Sequence, residues 1–193
     1  MKKTLIILVF LFIGFSSYLT NAEDIRELQI EGIRLGDSLL DHFSEEEINN
    51  NLIEYFDYYE DKRFTTMELF FHPNFKEYEN LQIHFKRNDS KYIVYAIYAA
   101  NYYRKNIDQC YFKLDEVVDE ISSLYKDLEK LGPDEQIHIA DQTGQSISTG
   151  YYFWFDTGDY IAVECYDWSE NVEWIDSYKF ALSTREFMEW LKQ

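Results

Sequence analysis

The chain has few of the residues that interrupt a fold or crosslink it. Its 193 residues include two Pro, seven Gly and two Cys, and Lys and Arg number 18 against 36 Asp and Glu. After Glu23 there is no linker, no low-complexity tract and no shift in composition, so the sequence predicts one domain over residues 23–193. The formal charge of −18 argues against nucleic acid and anionic membrane surfaces as partners, because both carry charge of the same sign.

An apolar run long enough to span a bilayer is also missing. The longest run, Leu5–Phe15, stops well short of the about 20 residues that a spanning helix needs. Two lysines before this run and small residues up to Ala22 are typical of a secretory signal peptide. The sequence therefore predicts that residues 1–22 are removed and that the chain is exported, periplasmic or secreted, with no membrane insertion afterwards. Cleavage removes two lysines and no acid, so the formal charge goes from −18 to −20.

Catalytic and metal-binding motifs are absent from the sequence. The four histidines, at positions 42, 72, 84 and 138, form no pair with metal-ligand spacing. Ser146 lies in a Gly-flanked segment that lacks the nucleophile elbow of hydrolases. Asp156 and Asp159 belong to a predicted hairpin turn and lack the loop pattern of a calcium site. The sequence thus predicts no cofactor and no metal centre, and it favours a binding role over an enzymatic one.

The two cysteines are predicted to form a disulfide. Apolar residues recur with helical spacing over 107–128, which places Cys110 on the buried side of an amphipathic helix. Cys165 shares one face of a predicted strand with Ile161 and Val163. A helix stripe and a strand face that both need cover pack together, and export favours disulfides. Two free buried thiols are the alternative.

Periodicity and turn residues predict an α+β fold. The long helix over 107–128 is expected to end at Gly132-Pro133, and a closing helix follows Ser183. We expect a two-layer antiparallel sheet packed on one face by helices, with a C-terminal helix. Tandem helix-plus-three-strand halves, 23–105 and 106–193, are a further expectation. The predicted strands of the sheet lie at 64–71, 81–86, 92–103, 148–155, 160–168 and 173–182.

Aromatic residues are abundant, with 15 Phe, 17 Tyr and 4 Trp. If Cys165 marks the helix-covered face of the sheet, strand parity assigns many of them to the other face. Two readings stay open: this second face is an interaction surface, or it is a small core covered by the closing helix with Trp190. The candidate binding residues on this face are Tyr152, Trp154, Tyr160, Tyr166 and Trp168.

Residues 29–48, QIEGIRLGDSLLDHFSEEEI, resemble a family of small exported bacterial proteins of unknown function. The resemblance continues through Cys110, 141–144, 165–167 and 183–187. It implies export and no catalytic residue.

A second, more distant resemblance concerns the glycine segment at 32–36 before a helix and the Leu-Gly-Pro segment at 131–133 before three strands. These features are similar to β-lactamase-inhibitor-like domains and small outer-membrane-assembly lipoprotein domains. Because such domains bind other proteins, the similarity implies protein binding. The chain departs from them in having no lipid-anchor cysteine.

These observations predict an exported acidic binding module that recognises a protein or small ligand of the cell envelope through its aromatic sheet face. Two alternatives from other classes stay open. A periplasmic hydrolase with paired carboxylates would need a concave pocket, two close acids and a raised carboxyl pKa. A structural or divalent-cation-binding envelope protein would need only the negative charge.

Overall fold

The computed structural model describes residues 24–54, 59–104 and 106–193, so the predicted signal peptide at 1–22 lies outside the described residues. Strands in the described part form one antiparallel sheet. They are β1 (Leu52–Ile53), β2 (Phe64–Phe70), β3 (Asn80–Lys86), β4 (Val94–Tyr102), β5 (Glu129–Ile137), β6 (Ile147–Trp154), β7 (Tyr160–Asp167) and β8 (Ser177–Ser183). Their order across the sheet is β1-β2-β3-β4-β8-β7-β6-β5. Strands β1–β4 form one meander and β5–β8 form the other, and the two join where β4 pairs with β8.

Tight turns that the sequence predicts connect the strands of each meander. Between β3 and β4, the Asp89 carboxylate accepts hydrogen bonds from the amides of Lys91 and Ile93, each at 3.0 Å. Between β6 and β7, Phe155 and Asp159 close the hairpin through a backbone hydrogen bond of 3.0 Å. Both predicted hairpins are confirmed, and in the first the Asp89 side chain itself stabilises the turn.

Three α-helices lie in the described ranges: α1 (Glu45–Asn50), α2 (Ile107–Leu124) and α3 (Arg185–Leu191). The Ser44 hydroxyl caps α1 by accepting a hydrogen bond from the amide of Glu47 at 3.2 Å. Thr184 caps α3 in the same way through the amide of Phe187 at 3.3 Å. The α+β class, the antiparallel sheet and the C-terminal helix are confirmed.

The first face of the sheet is packed against α2 and the N-terminal segment. From α2, Cys110, Leu114 and Val118 are buried in the same core as Val163 of β7. The predicted disulfide joins Cys110 to Cys165, whose Cα atoms lie 6.0 Å apart. It therefore attaches the start of α2 to β7. Residues of the N-terminal segment complete this core over the other meander; they include Ile25, Ile30, Ile33, Leu39 and Ile48.

The second face, opposite α2, carries α3 at one end. Phe187 and Trp190 of α3 are fully buried against Phe64 and Ala96. The indole nitrogen of Trp190 donates a hydrogen bond to the carbonyl of Asp61 at 2.7 Å. The sequence left two interpretations of this face, an interaction surface or a small core under the closing helix. At the end that α3 covers, the face forms a small core.

The predicted end of the long helix at Gly132-Pro133 is wrong. The helix α2 ends at Leu124, and Gly132 and Pro133 lie in the edge strand β5, where the pairing register with β6 shifts between Leu131 and Asp134. Pro lacks an amide donor, so it is tolerated on an edge strand at a bulge as well as beyond a helix end. At Gly132 a β-carbon would lie 2.6 Å from the carbonyl oxygen of Gly150, which excludes a larger residue.

No helix among the described residues has the length and apolar character needed to cross a bilayer. The Cys110–Cys165 disulfide is of the kind that forms in oxidising compartments, which agrees with export.

Candidate functional site

A concave cleft of about 600 Å³ opens on the second face, beside the end that α3 covers. Small side chains make room for it, since Ala100 of β4 and Ser177 of β8 lie on its floor. Cross-strand register then sets the order of the neighbouring side chains. One row across β2, β3, β4, β8 and β7 consists of Phe70, Asn80, Ala100, Lys179 and Glu164.

Aromatic side chains form the walls of the cleft. On one side, Trp168 packs edge-on against Trp174 with ring centres 4.5 Å apart, and against His138 at 4.4 Å. Trp174 keeps 51% of its surface exposed. On the other side, Phe70 and Phe71 are 55% and 61% exposed. A ligand in the cleft would therefore meet apolar rings on both sides.

Lys179 is the cation on the floor of the cleft. Its Nζ atom lies 4.1 Å from the centre of the Tyr166 ring, and in the described part of the chain it makes no hydrogen bond. Burial lowers the pKa of Lys179, while the carboxylates of Glu164 and Glu68 act in the opposite direction. Since the contact with Tyr166 is not a hydrogen bond, the ammonium group can still donate to a ligand.

Glu164 is the neighbour of Lys179 in the row, and its carboxylate is hydrogen-bonded to tyrosine hydroxyls. Glu164 accepts hydrogen bonds from Tyr152 at 2.8 Å and from Tyr166 at 3.1 Å. Burial raises the pKa of both tyrosines, so their hydroxyls stay protonated and donate. Gly150 allows this arrangement, because a β-carbon there would lie 3.0 Å from the Tyr152 hydroxyl.

A second polar group lies at the β2 end of the floor. The Oε1 atom of Glu68 accepts hydrogen bonds from the side-chain amides of Gln82 at 2.7 Å and Asn80 at 3.2 Å. All three side chains line the cleft. Hydrogen-bonding groups therefore lie on both sides of Ala100, the small residue in the middle of the row.

The buried carboxylate of Asp141 ties together the two loops that carry the Trp168 wall. It accepts hydrogen bonds from the hydroxyls of Thr143 and Ser146 in its own loop. It also accepts one from the Ser169 hydroxyl at 3.2 Å, in the loop after β7. Since Ser169 directly follows Trp168, this carboxylate helps to hold the backbone that carries the indole.

Replacement of Asp141 by Asn is expected to loosen this wall and to change the acid sensitivity of the fold. Hydrogen bonds from Ser146 and Thr143 hold the pKa of Asp141 well below its ordinary value of 3.8. A carboxyl with a lowered folded-state pKa stabilises the fold above the unfolded-state pKa and loses that contribution as pH falls toward the folded value. Urea unfolding should therefore show wild-type stability falling more steeply than that of Asp141→Asn below about pH 4.

The matched control for this comparison is Asp127→Asn, since Asp127 is exposed in the turn after α2. This control should follow the wild-type curve. Equal slopes for wild type and Asp141→Asn below about pH 4 would contradict the assigned role of the Asp141 carboxylate.

The structure divides the five predicted binding residues between a covered part and an open part of the second face. Trp154 and Tyr160 stack with ring centres 5.1 Å apart. Tyr160 is buried, and both rings belong to a cluster that includes Met188 of α3. These two residues therefore contribute to a small second core next to α3.

The other three predicted residues lie toward the open part. Tyr152 and Tyr166 hold the Glu164 carboxylate. Trp168 lines the cleft itself and stacks on Tyr166 with ring centres 5.9 Å apart. Of the five, Trp168 is thus the residue that a ligand in the cleft would touch directly.

Other polar residues that the sequence singled out have structural roles. The Ser146 hydroxyl is buried and donates to Asp141 at 2.7 Å. Asp159 of the hairpin turn accepts hydrogen bonds from the Arg185 amide at 2.7 Å and the Thr157 hydroxyl at 3.0 Å, which holds the start of α3. Across 24–54, 59–104 and 106–193, no group of three or more His, Cys, Asp or Glu is placed to hold a metal ion.

Acidic residues in and near the cleft bear on the alternative of a hydrolase with paired carboxylates. Glu68 and Glu173 line the cleft. The pKa of Asp167 is raised by burial and by the charge of Asp176. By strand parity, however, Asp167 shares the first face with Cys165 and does not line the cleft.

Sequence reasoning missed Lys179, Glu68 and Trp174. A signal for Lys179 was present, since it is the one charged residue of the β8 segment SYKFALS. A signal for the cleft was also present in β4, where Ala96 and Ala100 alternate with aromatic residues on one face. A small residue leaves a hollow only where no side chain of a neighbouring strand or helix fills the space, and the sequence of β4 does not show this: α3 covers Ala96, whereas Ala100 lines the cleft.

Comparison with known proteins identifies no relative of this chain. No family model matches the chain, and no curated protein or solved structure matches it either. Both resemblances noted in the sequence therefore remain predictions, and the geometry of the cleft carries the argument about function.

Proposed function

We propose that this chain is an exported binding module whose ligand site is the cleft on the second face of the sheet. One observation carries the proposal: a hollow of about 600 Å³ combines aromatic walls with the ammonium group of Lys179, which makes no hydrogen bond within the described residues. Ligand sites in proteins are concave, lined mainly by apolar and aromatic groups, and contain a few polar groups that fix orientation.

Exposure of large aromatic side chains at the rim supports the same proposal. Phe70, Phe71 and Trp174 each leave more than half of their surface to solvent. A monomer gains nothing in stability from such exposure, and contiguous apolar patches mark interaction sites. The disulfide supports the exported location, where the partner is a protein segment or small ligand of the cell envelope.

A fragment screen followed by two-dimensional amide NMR tests this proposal. We expect fragments that bind the exported chain to shift amide signals of the cleft, in the segments 68–71, 98–104 and 168–179. Phe71→Ala, which removes an exposed ring at the cleft, should weaken these shifts.

The matched control for the screen is Phe112→Ala, because Phe112 is an equally large side chain, 74% exposed on α2 at the other face. It should leave the shifts unchanged. Hits that map elsewhere, or that are insensitive to Phe71→Ala and sensitive to Phe112→Ala, would contradict the proposal.

A further inference from the structure

The charged residues that line the cleft are balanced, whereas the chain as a whole is strongly acidic. Glu68 and Glu173 stand against Lys179 and Arg104, while the full sequence has twice as many acids as bases. His138 adds no charge near neutral pH, because burial lowers its pKa further. Neither a cation nor an anion finds an excess of opposite charge in the cleft, so the lining suits a neutral ligand.

Hydrogen-bonding groups in the floor are of both kinds and are spread apart. Lys179 only donates, a carboxylate such as Glu68 only accepts, and the amides of Asn80 and Gln82 do both. The backbones of β2 and β8 are three strand spacings apart, about 14 Å. A ligand that satisfies both ends is therefore extended and carries groups that donate and accept, as hydroxyls do.

The aromatic walls of the cleft favour a ligand that has a flat apolar surface. The indoles of Trp168 and Trp174 meet at a large angle, 68°, and Trp174 is half exposed. A sugar ring has faces of C–H groups that pack on such rings and a rim of hydroxyls that reaches the floor. A purely aromatic ligand would satisfy the walls and leave Lys179 without an acceptor.

We propose that the cleft binds a neutral oligosaccharide, with sugar rings against Trp168 and Trp174 and hydroxyls on Lys179 and Glu68. This assignment rests on the proposed function, since it names the ligand class of the same site. It differs from the second of the two sequence resemblances, which implies a protein partner.

Titration of the exported chain with trisaccharides, followed by tryptophan fluorescence and calorimetry, tests the assignment. The neutral probes are maltotriose, cellotriose and triacetylchitotriose, which separate glucans from N-acetylated amino sugars. The charged probes are trigalacturonic acid and the glucosamine trimer. We expect at least one neutral probe to bind and both charged probes to bind more weakly.

Two variants test whether the sugar binds in the cleft and whether Lys179 donates a hydrogen bond to it. Trp174→Ala removes an exposed ring, so it should fold and weaken binding by about tenfold or more. Lys179→Met keeps the length of the side chain and removes the donor, and a comparable loss is expected. Phe112→Ala, on the opposite face, should bind as wild type does.

The outcomes separate the ligand class from the site. Binding of a charged probe or of a neutral non-sugar fragment in the cleft, without any neutral trisaccharide, overturns the saccharide assignment and leaves the proposed function standing. Binding of a neutral trisaccharide that is insensitive to both Trp174→Ala and Lys179→Met overturns the assignment to this cleft. Absence of any cleft ligand in both the sugar panel and the fragment screen overturns both proposals.

Discussion

Reduction of the Cys110–Cys165 disulfide is expected to lower the free energy of unfolding by about 4 kcal/mol. The crosslink spans a sequence separation of 55 residues, so the reduced unfolded chain gains the conformational freedom of a long open loop. In the folded chain, the bond attaches the start of α2 to β7 at a fully buried position. Urea unfolding followed by circular dichroism, with and without reductant, measures the difference.

The Cys110→Ala/Cys165→Ala double variant is the control for this experiment. Reductant should leave its unfolding curve unchanged, which shows that the effect on wild type comes from the disulfide. A loss below about 1 kcal/mol on reduction of wild type would contradict the assignment of this stabilisation to the restricted unfolded chain.

Mild acidification is expected to destabilise the fold through His84. This side chain is fully buried, stacked on Phe187 of α3 with ring centres 4.8 Å apart. Burial lowers the pKa of His84 to about 3, from 6.5. As pH falls below about 6.5, the unfolded chain takes up a proton that the folded chain does not, so stability decreases until the pH approaches the folded-state pKa. We expect a loss of about 2 kcal/mol at pH 5 and on the order of 4 kcal/mol near pH 3.

A double replacement isolates this contribution. His84 shares a hydrogen bond of 2.9 Å with the hydroxyl of Thr66. The Thr66→Val/His84→Phe variant replaces both partners by apolar groups of similar shape, which limits the cost of the change itself. Urea unfolding at pH 7.5, 6, 5 and 4 should show a flatter pH dependence for the variant than for wild type. Parallel curves over this range would contradict the role of His84.

The position of His84 illustrates what strand parity predicts and what it leaves open. Alternation with Leu81, Ile83 and Phe85 correctly assigns His84 to the second face of β3. Gln82, His84 and Lys86 make that face of the strand polar, so the sequence predicts His84 to be a surface or partly packed side chain. The structure buries it, because α3 returns from the far end of the chain to cover this part of the face.

Helix and strand boundaries were predictable where a local signal decides them. Ser44 caps α1 through its own hydroxyl, and Asp89 stabilises a turn through its own carboxylate. The helical stripe that carries Cys110 and the strand face that carries Cys165 were each visible within about ten residues of sequence. The prediction from Gly132-Pro133 was wrong because this pair of residues is compatible both with a helix end and with a bulge in an edge strand. Only the pairing with β6 distinguishes these two structures.

The candidate site was less predictable than the sheet that carries it. Parity found Trp168 together with Trp154 and Tyr160, and it assigned all of them to one face. Strand parity does not show that Trp154 and Tyr160 pack beside α3 whereas Trp168 lines an open cleft. The deciding contacts, such as Asp141 with Ser169, join residues of different loops.

The sequence by itself determined the acidic charge, and it predicted the α+β class, the pairing of Cys110 with Cys165 and the face on which the aromatic residues lie. These follow from composition and from periods of a few residues, which act locally. Only the tertiary structure decided that a cleft exists and that Lys179 stands in it. That outcome depends on cross-strand register, which aligns Asn80, Ala100 and Lys179 from distant parts of the chain, and on where α3 stops covering the sheet.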